Sequence, residues 1–97
     1  LISISASAEV LYIHVGGLTL KDLKSFQNNL EQQDGLKYIG YCQDLSVVLI
    51  DINRATLPDN EALFLFFKKN GFETIEVKTP ISQELFFQHC NHFEPRQ

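Results

Sequence analysis

The segment from Leu11 to Leu23 (LYIHVGGLTLKDL) constrains the fold more than any other part of the chain. Apolar residues alternate with Tyr12 and His14 over residues 11–15, which is the period of a strand with one buried face. Gly16 and Gly17 follow, and two glycines allow backbone angles that are closed to other residues. A strand that ends in a tight turn is therefore predicted.

An amphipathic helix is predicted to begin directly after this turn. Thr19 is a suitable N-cap residue, and Asp22 completes an approximate capping box with a carboxylate in the first turn, where the helix dipole favours it. The apolar residues that follow form one stripe at helical spacing: Leu20, Leu23, Phe26 and Leu30. We expect the helix to end near Gln33.

The rest of the chain predicts three more strands and two more helices. The strands are predicted over residues 36–42, 45–52 and 72–79, and the helices over residues 61–70 and 81–91. Gln43-Asp44 is predicted to be a hairpin turn, and Thr79-Pro80 to cap the last helix.

This order of elements predicts an α+β fold on the ferredoxin-like βαββαβ plan. Two right-handed crossovers build a four-stranded antiparallel sheet with the first two helices on one face. No linker or repeat interrupts residues 1–97, so we expect a single domain with a core over about residues 10–78 and an extra C-terminal helix over about residues 80–91.

Several of these positions resemble the heavy-metal-associated (HMA) domains, which are small copper and zinc chaperone modules. The family pattern is apolar-x-apolar-x-Val-x-Gly-Met-x-Cys-x-x-Cys, and its first half is matched by Leu11-x-Ile13-x-Val15-x-Gly17-Leu18. Two later matches are Gly35-Leu36, which opens the second strand, and Leu63-x-x-x-Phe67-x-x-x-Gly71-Phe72. The resemblance covers about two thirds of the chain and implies the ferredoxin-like fold.

The residues that bind metal in that family are missing here. The two cysteine positions hold Leu20 and Leu23, or Thr19 and Asp22 if the helix is moved back by one residue. A soft metal ion needs thiolates at these positions. The resemblance therefore implies a degenerate metal site and a non-catalytic domain that serves as a protein-interaction or regulatory module.

A second hypothesis is zinc or copper binding by the segment HCNH, with His89, Cys90 and His92 as candidate ligands. On a helix, positions 89 and 92 share a face and offer two imidazoles, with Cys90 turned away. The alternative is an ordinary polar helix end, where a histidine suits the dipole.

Cys42 and Cys90 are expected to be free thiols, because two cysteines do not make the disulfide framework of a small secreted domain.

The second helix is apolar all round, which a single buried stripe does not explain. We expect the C-terminal helix to cover the surplus through Leu85, Phe86 and Phe87. The alternative is an exposed apolar patch used for self-association or for a protein partner. The residues predicted for that interface are Phe64, Phe66, Phe86 and Phe87.

Composition excludes several other functions. A net charge of −4 and a pI near 5.2 argue against non-specific binding of nucleic acid. No apolar run approaches the roughly 20 residues of a membrane span. No catalytic spacing or cofactor fingerprint occurs, so neither an enzyme nor a cofactor is predicted.

A third hypothesis is a small-ligand regulatory domain that uses the Gly16-Gly17 turn, although the acidic residue usual before that turn is missing.

The first residues, LISISASA, have two interpretations. Ala6 and Ala8 resemble the Ala-x-Ala cleavage site at the tail of a secretory signal. The same residues also suit an extension of the first strand. The compartment, cytoplasmic or exported, is therefore left open.

Overall fold

A five-stranded antiparallel sheet with helices on both faces is the framework of this computed structural model, which describes residues 8–96. The elements are β1 (Ala8–Val15), α1 (Leu20–Glu31), β2 (Leu36–Cys42), β3 (Val47–Asn53), α2 (Glu61–Lys69), β4 (Ile75–Lys78), α3 (Gln83–His89) and β5 (Phe93–Pro95). The strand order is β4-β1-β3-β2-β5, and every neighbouring pair is antiparallel. The α+β class is confirmed, but the sheet has five strands where four were predicted.

Helices α1 and α2 pack on one face of the sheet, which we call the front face. The alternation in β1 sends Leu11, Ile13 and Val15 into this core, where they meet the apolar stripes of both helices. Phe26 is at the centre, with the rings of Phe66, Phe67 and Phe72 at centroid distances of 5.7, 5.8 and 5.7 Å. Removing side chains of this size from water contributes about 1.5–3 kcal/mol each, so this cluster dominates the stability of the front layer.

Helix α3 covers the opposite face, which we call the back face. Phe86 of α3 is buried against Tyr12 of β1, with the ring centroids 5.3 Å apart. Val47 and Leu49 of β3 belong to the same cluster, together with Cys42 and Cys90. The near-continuous apolar run of β3 is explained by this second layer, because a strand buried on both faces has no polar alternation.

The predicted role of the C-terminal helix is wrong. We expected α3 to cover the apolar surplus of α2, but the two helices lie on opposite faces of the sheet. Phe64 and Leu65 of α2 consequently stay 44% and 58% exposed. The back face of a sheet so rich in apolar residues needed its own cover, and α3 supplies it through Phe86.

The start of α1 is at the predicted place, but its capping differs. Thr19 is the N-cap residue, and its hydroxyl donates to the Asp22 carboxylate at 3.0 Å instead of accepting the Asp22 N–H. The Asp22 N–H donates to the Thr19 carbonyl oxygen at 3.1 Å. The two side chains therefore bond to each other, and neither caps the helix.

The C-terminal region departs most from prediction. Ser82, not Thr79, caps the last helix, and its Oγ accepts the Leu85 N–H at 3.1 Å. The helix ends at His89, and Cys90 is already extended. The chain then returns as β5, a strand that the sequence did not predict, and β5 pairs with β2.

Two other strand boundaries were placed too early. Residues 43–46 form the β2–β3 turn, with Ser46 at a φ of 54°, so β3 begins at Val47. β4 begins only at Ile75, because Phe72 is used in the front core against Phe67.

The signal-like interpretation of LISISASA falls mainly on residues 1–7, outside the described residues, and Ala8 is the first residue of β1. None of the helices within residues 8–96 has the length and apolar character needed to cross a membrane.

Candidate functional site

The turn after β1, where HMA domains carry their cysteines, has no metal-ligating side chains that converge. Leu18 is buried, and its carbonyl oxygen accepts the Tyr41 hydroxyl at 3.2 Å. Leu23 is a core residue of α1, whereas Leu20 is 48% exposed to solvent. The buried side chains at this turn, Leu18 and Leu23, therefore serve packing, and the candidate sites lie elsewhere.

The two cysteines form a disulfide, so the prediction of free thiols is wrong. Cys42 at the end of β2 is bonded to Cys90 just after α3, with Cα atoms 5.9 Å apart. That separation is near the middle of the range found for disulfides. The bond anchors the end of α3 to the back face, a pairing across 48 residues that no local sequence pattern indicates.

The structure does not gather the HCNH segment into a site. The proposed shared helical face is absent, because the helix ends at His89 and His92 lies in a bend beyond it. Cys90 is committed to the disulfide and offers no thiolate in this state. His89 is exposed in the last turn of α3, as the alternative interpretation of a polar helix end requires.

Asp44, which sequence reasoning placed in a turn and did not otherwise use, organises this region. Its Oδ2 accepts the backbone N–H groups of Asn91 and His92, both at 2.8 Å. Its Oδ1 lies 3.1 Å from Nδ1 of His92. The hydrogen bond from the His92 ring, followed by those from the backbone, holds the pKa of the Asp44 carboxyl below its usual 3.8.

The disulfide and Asp44 together form the one cluster of three potential metal ligands within residues 8–96. The ligand atoms of Cys42, Asp44 and Cys90 all lie within 4.8 Å of one another. Cys42 and Cys90 are buried, whereas Asp44 is exposed. The residues come from β2, the β2–β3 turn and the segment after α3, so only the tertiary fold brings them together.

A second candidate site is an apolar groove beside α3 on the back face, which we call the α3 groove. It encloses about 250 Å³. Its lining is apolar except for two side chains at the end of β4, and it consists of Tyr12, Leu45, Val47, Lys78, Thr79, Ile81 and Phe86. Leu45 and Ile81 are 39% and 45% exposed, so the rim of the groove is apolar too.

The two neighbours of Phe86 in α3 lie on opposite flanks of the helix. In a helix, Leu85 and Phe87 point about 200° apart, on either side of Phe86, which faces the sheet. Phe87 packs on Phe93 of β5, with the centroids 4.9 Å apart. Leu85 is directed to the other flank and is 48% exposed.

The predicted interface residues do not form one surface. Phe66 and Phe86 are core residues with 7% and 1% exposure, on the front and back layers respectively, so neither is available to a partner. Phe64 and Phe87 are exposed, but they lie on helices at opposite faces of the sheet. The sequence found apolar helix residues, and the fold decided which of them reach solvent.

The surface near α2 is more polar than the α3 groove. A broad depression of about 820 Å³ separates α1 from α2, and it is lined mainly by amide and lysine side chains: Asn29, Gln32, Gln33, Ala62, Leu65, Phe66, Lys69 and Asn70. Asn29 donates to Asn70 across it at 3.3 Å. The amides are thus partly engaged with each other, and the apolar contribution comes from Ala62, Leu65 and Phe66.

The tyrosines of the sheet are structural. Burial raises the pKa of Tyr12 and Tyr38, because their ionised forms would lose hydration. The Tyr38 hydroxyl donates to the Glu94 carbonyl oxygen at 2.7 Å and so fastens β5 to the sheet. Tyr12 and Tyr41 are 5% and 4% exposed, so neither presents a ring on which a base could stack.

No protein-family model, no curated protein sequence and no solved structure matches the chain.

Proposed function

We propose that this chain is a non-catalytic protein-interaction domain with a ferredoxin-like core and a degenerate HMA-type metal site. The ferredoxin-like assignment is supported by the order β4-β1-β3-β2 and by α1 and α2 on one face, with α3 and β5 as additions. The degenerate site is supported by the lack of a thiol in either register, whether the two positions are Leu20 and Leu23 or Thr19 and Asp22.

The non-catalytic assignment is supported by the accounting of the shifted ionisable groups. Among the described residues, clear pKa shifts occur at Tyr12, Glu31, Tyr38, Asp44 and Arg96. Burial explains the tyrosines, and the Glu31–Arg96 and Asp44–His92 hydrogen bonds explain the others. Each shift therefore has a structural cause, so the shifts give no separate indication of a catalytic group.

The α3 groove is the observation that carries the proposal of an interaction domain. Exposed Leu45 and Ile81 border a depression whose floor is formed by buried Tyr12 and Phe86. An apolar floor with an apolar rim leaves water in an unfavourable place, and a partner that displaces it gains the corresponding transfer free energy. The rigid floor also means that the groove exists before a partner arrives.

The proposed occupant is one large apolar side chain of a partner polypeptide, next to a carboxylate. Small-molecule sites typically enclose about 300–1,000 Å³, and the groove, at about 250 Å³, is smaller and suits a single anchor side chain. Lys78 is the one charged residue of the lining, so an acidic neighbour in the partner is electrostatically matched. A Glu76 carboxylate at 3.2 Å currently pairs with Lys78, but both side chains are exposed and their exchange costs little.

The test is selection of short random peptides displayed on phage against the oxidised protein. Enriched peptides are expected to carry a Leu, Phe or similar side chain beside Asp or Glu. They are expected to lose binding by tenfold or more with Ile81→Glu, because a carboxylate at the rim of the groove would then face the apolar anchor and repel the acidic residue beside it. Leu65→Glu is the matched control, since Leu65 is a comparably exposed apolar residue on the opposite layer.

Two results would overturn the proposal. One is a selection that enriches no sequence above a panning control without the protein. The other is a set of peptides that bind Ile81→Glu as tightly as they bind the wild type, because the α3 groove would then not be the binding surface. Loss with Leu65→Glu alone would assign binding to α2 instead.

A further inference from the structure

We propose that Cys42, Cys90 and Asp44 form a redox-dependent zinc site. With the disulfide intact, both sulfur atoms are bonded to each other and cannot bind a metal. After reduction, the same two sulfurs and the Asp44 carboxylate would hold one Zn²⁺ ion. This site differs from the HCNH hypothesis, since it uses neither His89 nor His92 as a ligand.

The geometry of the three ligands fits a tetrahedral ion. All three ligand atoms lie within 4.8 Å of one another. Two thiolates at the usual Zn–S distance of about 2.3 Å lie roughly 3.8 Å apart on a tetrahedral ion. Opening the sulfurs to that distance needs side-chain rotation only, because the Cα atoms of Cys42 and Cys90 are already 5.9 Å apart.

Asp44 is oriented toward the sulfurs before any metal binds. The N–H groups of Asn91 and His92 hold Oδ2 at 2.8 Å, and Nδ1 of His92 lies 3.1 Å from Oδ1. An ionised carboxylate offers about four lone-pair sites; Oδ2 uses two of them and Oδ1 uses one, so the site left for an ion is on Oδ1. Oδ2 lies 4.0 Å from Sγ of Cys42. Histidine–carboxylate contacts of this kind orient metal ligands in known sites.

The chemistry of the donor set selects the ion. Two thiolates favour soft or borderline ions over Mg²⁺ and Ca²⁺, and zinc accepts thiolate and carboxylate together. Asp44 is exposed while both cysteines are buried, so the ion would be reached from the Asp44 side and would keep water as its fourth ligand.

The redox step is a thiol–disulfide exchange with a dithiol reductant. The reductant supplies two electrons and two protons to the Cys42–Cys90 bond, which gives two thiols, and it becomes a disulfide itself. Zinc then displaces one proton from each thiol, and these protons go to solvent. The two thiolates and the carboxylate together carry three negative charges against the two positive charges of the ion.

The test compares zinc binding by the oxidised and the reduced chain. Reduction uses a phosphine, which with water converts the disulfide to two thiols and becomes a phosphine oxide, so no added thiol competes for the ion. Zinc affinity is read by competition with a chromophoric chelator, and cobalt is used as a coloured substitute for zinc. The reduced wild type is expected to bind one ion per chain with a thiolate-to-cobalt charge-transfer band, and the oxidised chain is expected to bind none.

Three variants assign the ligands. Cys90→Ser is expected to weaken binding by at least a hundredfold. Asp44→Asn is expected to weaken it by at least about tenfold, because loss of a ligand costs no less than loss of a group that only supports one, for which about 10–100-fold is found. His89→Ala is the matched control and is expected to bind as the wild type does. Binding by the reduced wild type that is no tighter than binding by Cys90→Ser would overturn the proposal. Loss with His89→Ala equal to the loss with Cys90→Ser would assign the ion to the HCNH segment.

Folding of the reduced chain is measured alongside binding, by circular dichroism on heating with and without zinc. Zinc is expected to raise the Tm of the reduced wild type and to leave that of reduced Cys90→Ser unchanged. If the reduced chain is unfolded without metal, zinc is expected to restore its secondary structure. No zinc-dependent gain in either measurement would overturn the proposal. The phage selection uses the oxidised chain, so either proposal can fail without the other.

Discussion

Removal of the Cys42–Cys90 bond is expected to destabilise the fold without abolishing it. The perturbation is the double variant Cys42→Ala/Cys90→Ala, which removes the bond and keeps both sites apolar. The cysteines are separated by 48 residues, so the bond closes a long loop in the unfolded chain. In the chain-entropy description, a loop of that length contributes about 4 kcal/mol at 25 °C.

Other effects change this figure in both directions. Native disulfides contribute about 2–5 kcal/mol in practice, and residual structure in the unfolded chain lowers the entropic gain. Loss of the two buried sulfur atoms adds a small packing cost, because both cysteines lie in the back-face cluster. We therefore expect a loss of about 3–4 kcal/mol. Domains of this size have a total stability of about 5–15 kcal/mol, so the variant should still fold.

The assay is urea unfolding followed by circular dichroism, with thermal unfolding as a second measurement. For a domain of about 100 residues, 1 kcal/mol corresponds to about 4–8 °C in Tm. The expected decrease is therefore about 12–32 °C. Wild type treated with a phosphine reductant should show the same decrease, and the double variant should not respond to the reductant.

A clear result would refute this reasoning. If the reductant leaves the wild-type Tm unchanged while mass spectrometry shows both thiols free, the bond does not stabilise the fold. The packing of Phe86 against Tyr12, at 5.3 Å between centroids, would then hold α3 by itself.

Three further predictions concern the back face and the C-terminal segment. Phe86→Ala is expected to lower the free energy of unfolding in urea by about 3–5 kcal/mol, because it empties the centre of the back layer. Phe87→Ala, at a side chain that is 43% exposed, should lower it by about 1 kcal/mol. Equal losses would contradict the assignment of Phe86 to the core. Gly40→Ala is expected to displace the ring of Phe93, which occupies the space that a Cβ at Gly40 would need, and to cost about 1–3 kcal/mol; a variant with unchanged stability and unchanged amide chemical shifts in β5 would show that the ring is free to move. Stability is expected to fall in acid, because the pKa of the Asp44 carboxyl in the folded chain is below its usual 3.8. The stabilisation by Asp44 is therefore fully present above pH 3.8 and is lost as the pH falls through the lower pKa of the folded chain. Urea unfolding from about pH 5 to about pH 2 should show a smaller loss for Asp44→Asn than for the wild type, and identical pH profiles would mean that the hydrogen bonds to Asp44 do not stabilise the fold.

Local patterns were sufficient for much of the chain. β2 matches its predicted bounds, and α1 begins where Thr19 and the apolar stripe placed it. The reason is that period and turn chemistry are properties of neighbouring residues: Gly17 and Gly71 both adopt positive φ, 89° and 84°, at the ends of elements as their positions suggested. These features need no knowledge of the rest of the fold.

The candidate sites were not predictable in the same way. Asp44 lies in a turn, and nothing in its neighbourhood indicates that Asn91 and His92 would donate to it. The disulfide and β5 likewise depend on contacts between residues far apart in the chain. A signal was present in the even number of cysteines, but their pairing needed the geometry of the back face.

The sequence by itself determined the α+β class, the order of the first six elements and the absence of thiols at the turn after β1. Only the tertiary structure decided that α3 covers the back face, that Cys42 meets Cys90 and that Leu45 and Ile81 border a groove. The physical reason is that the apolar pattern of the sequence specifies how much surface must be buried. Which element covers that surface depends on contacts between residues far apart in the chain.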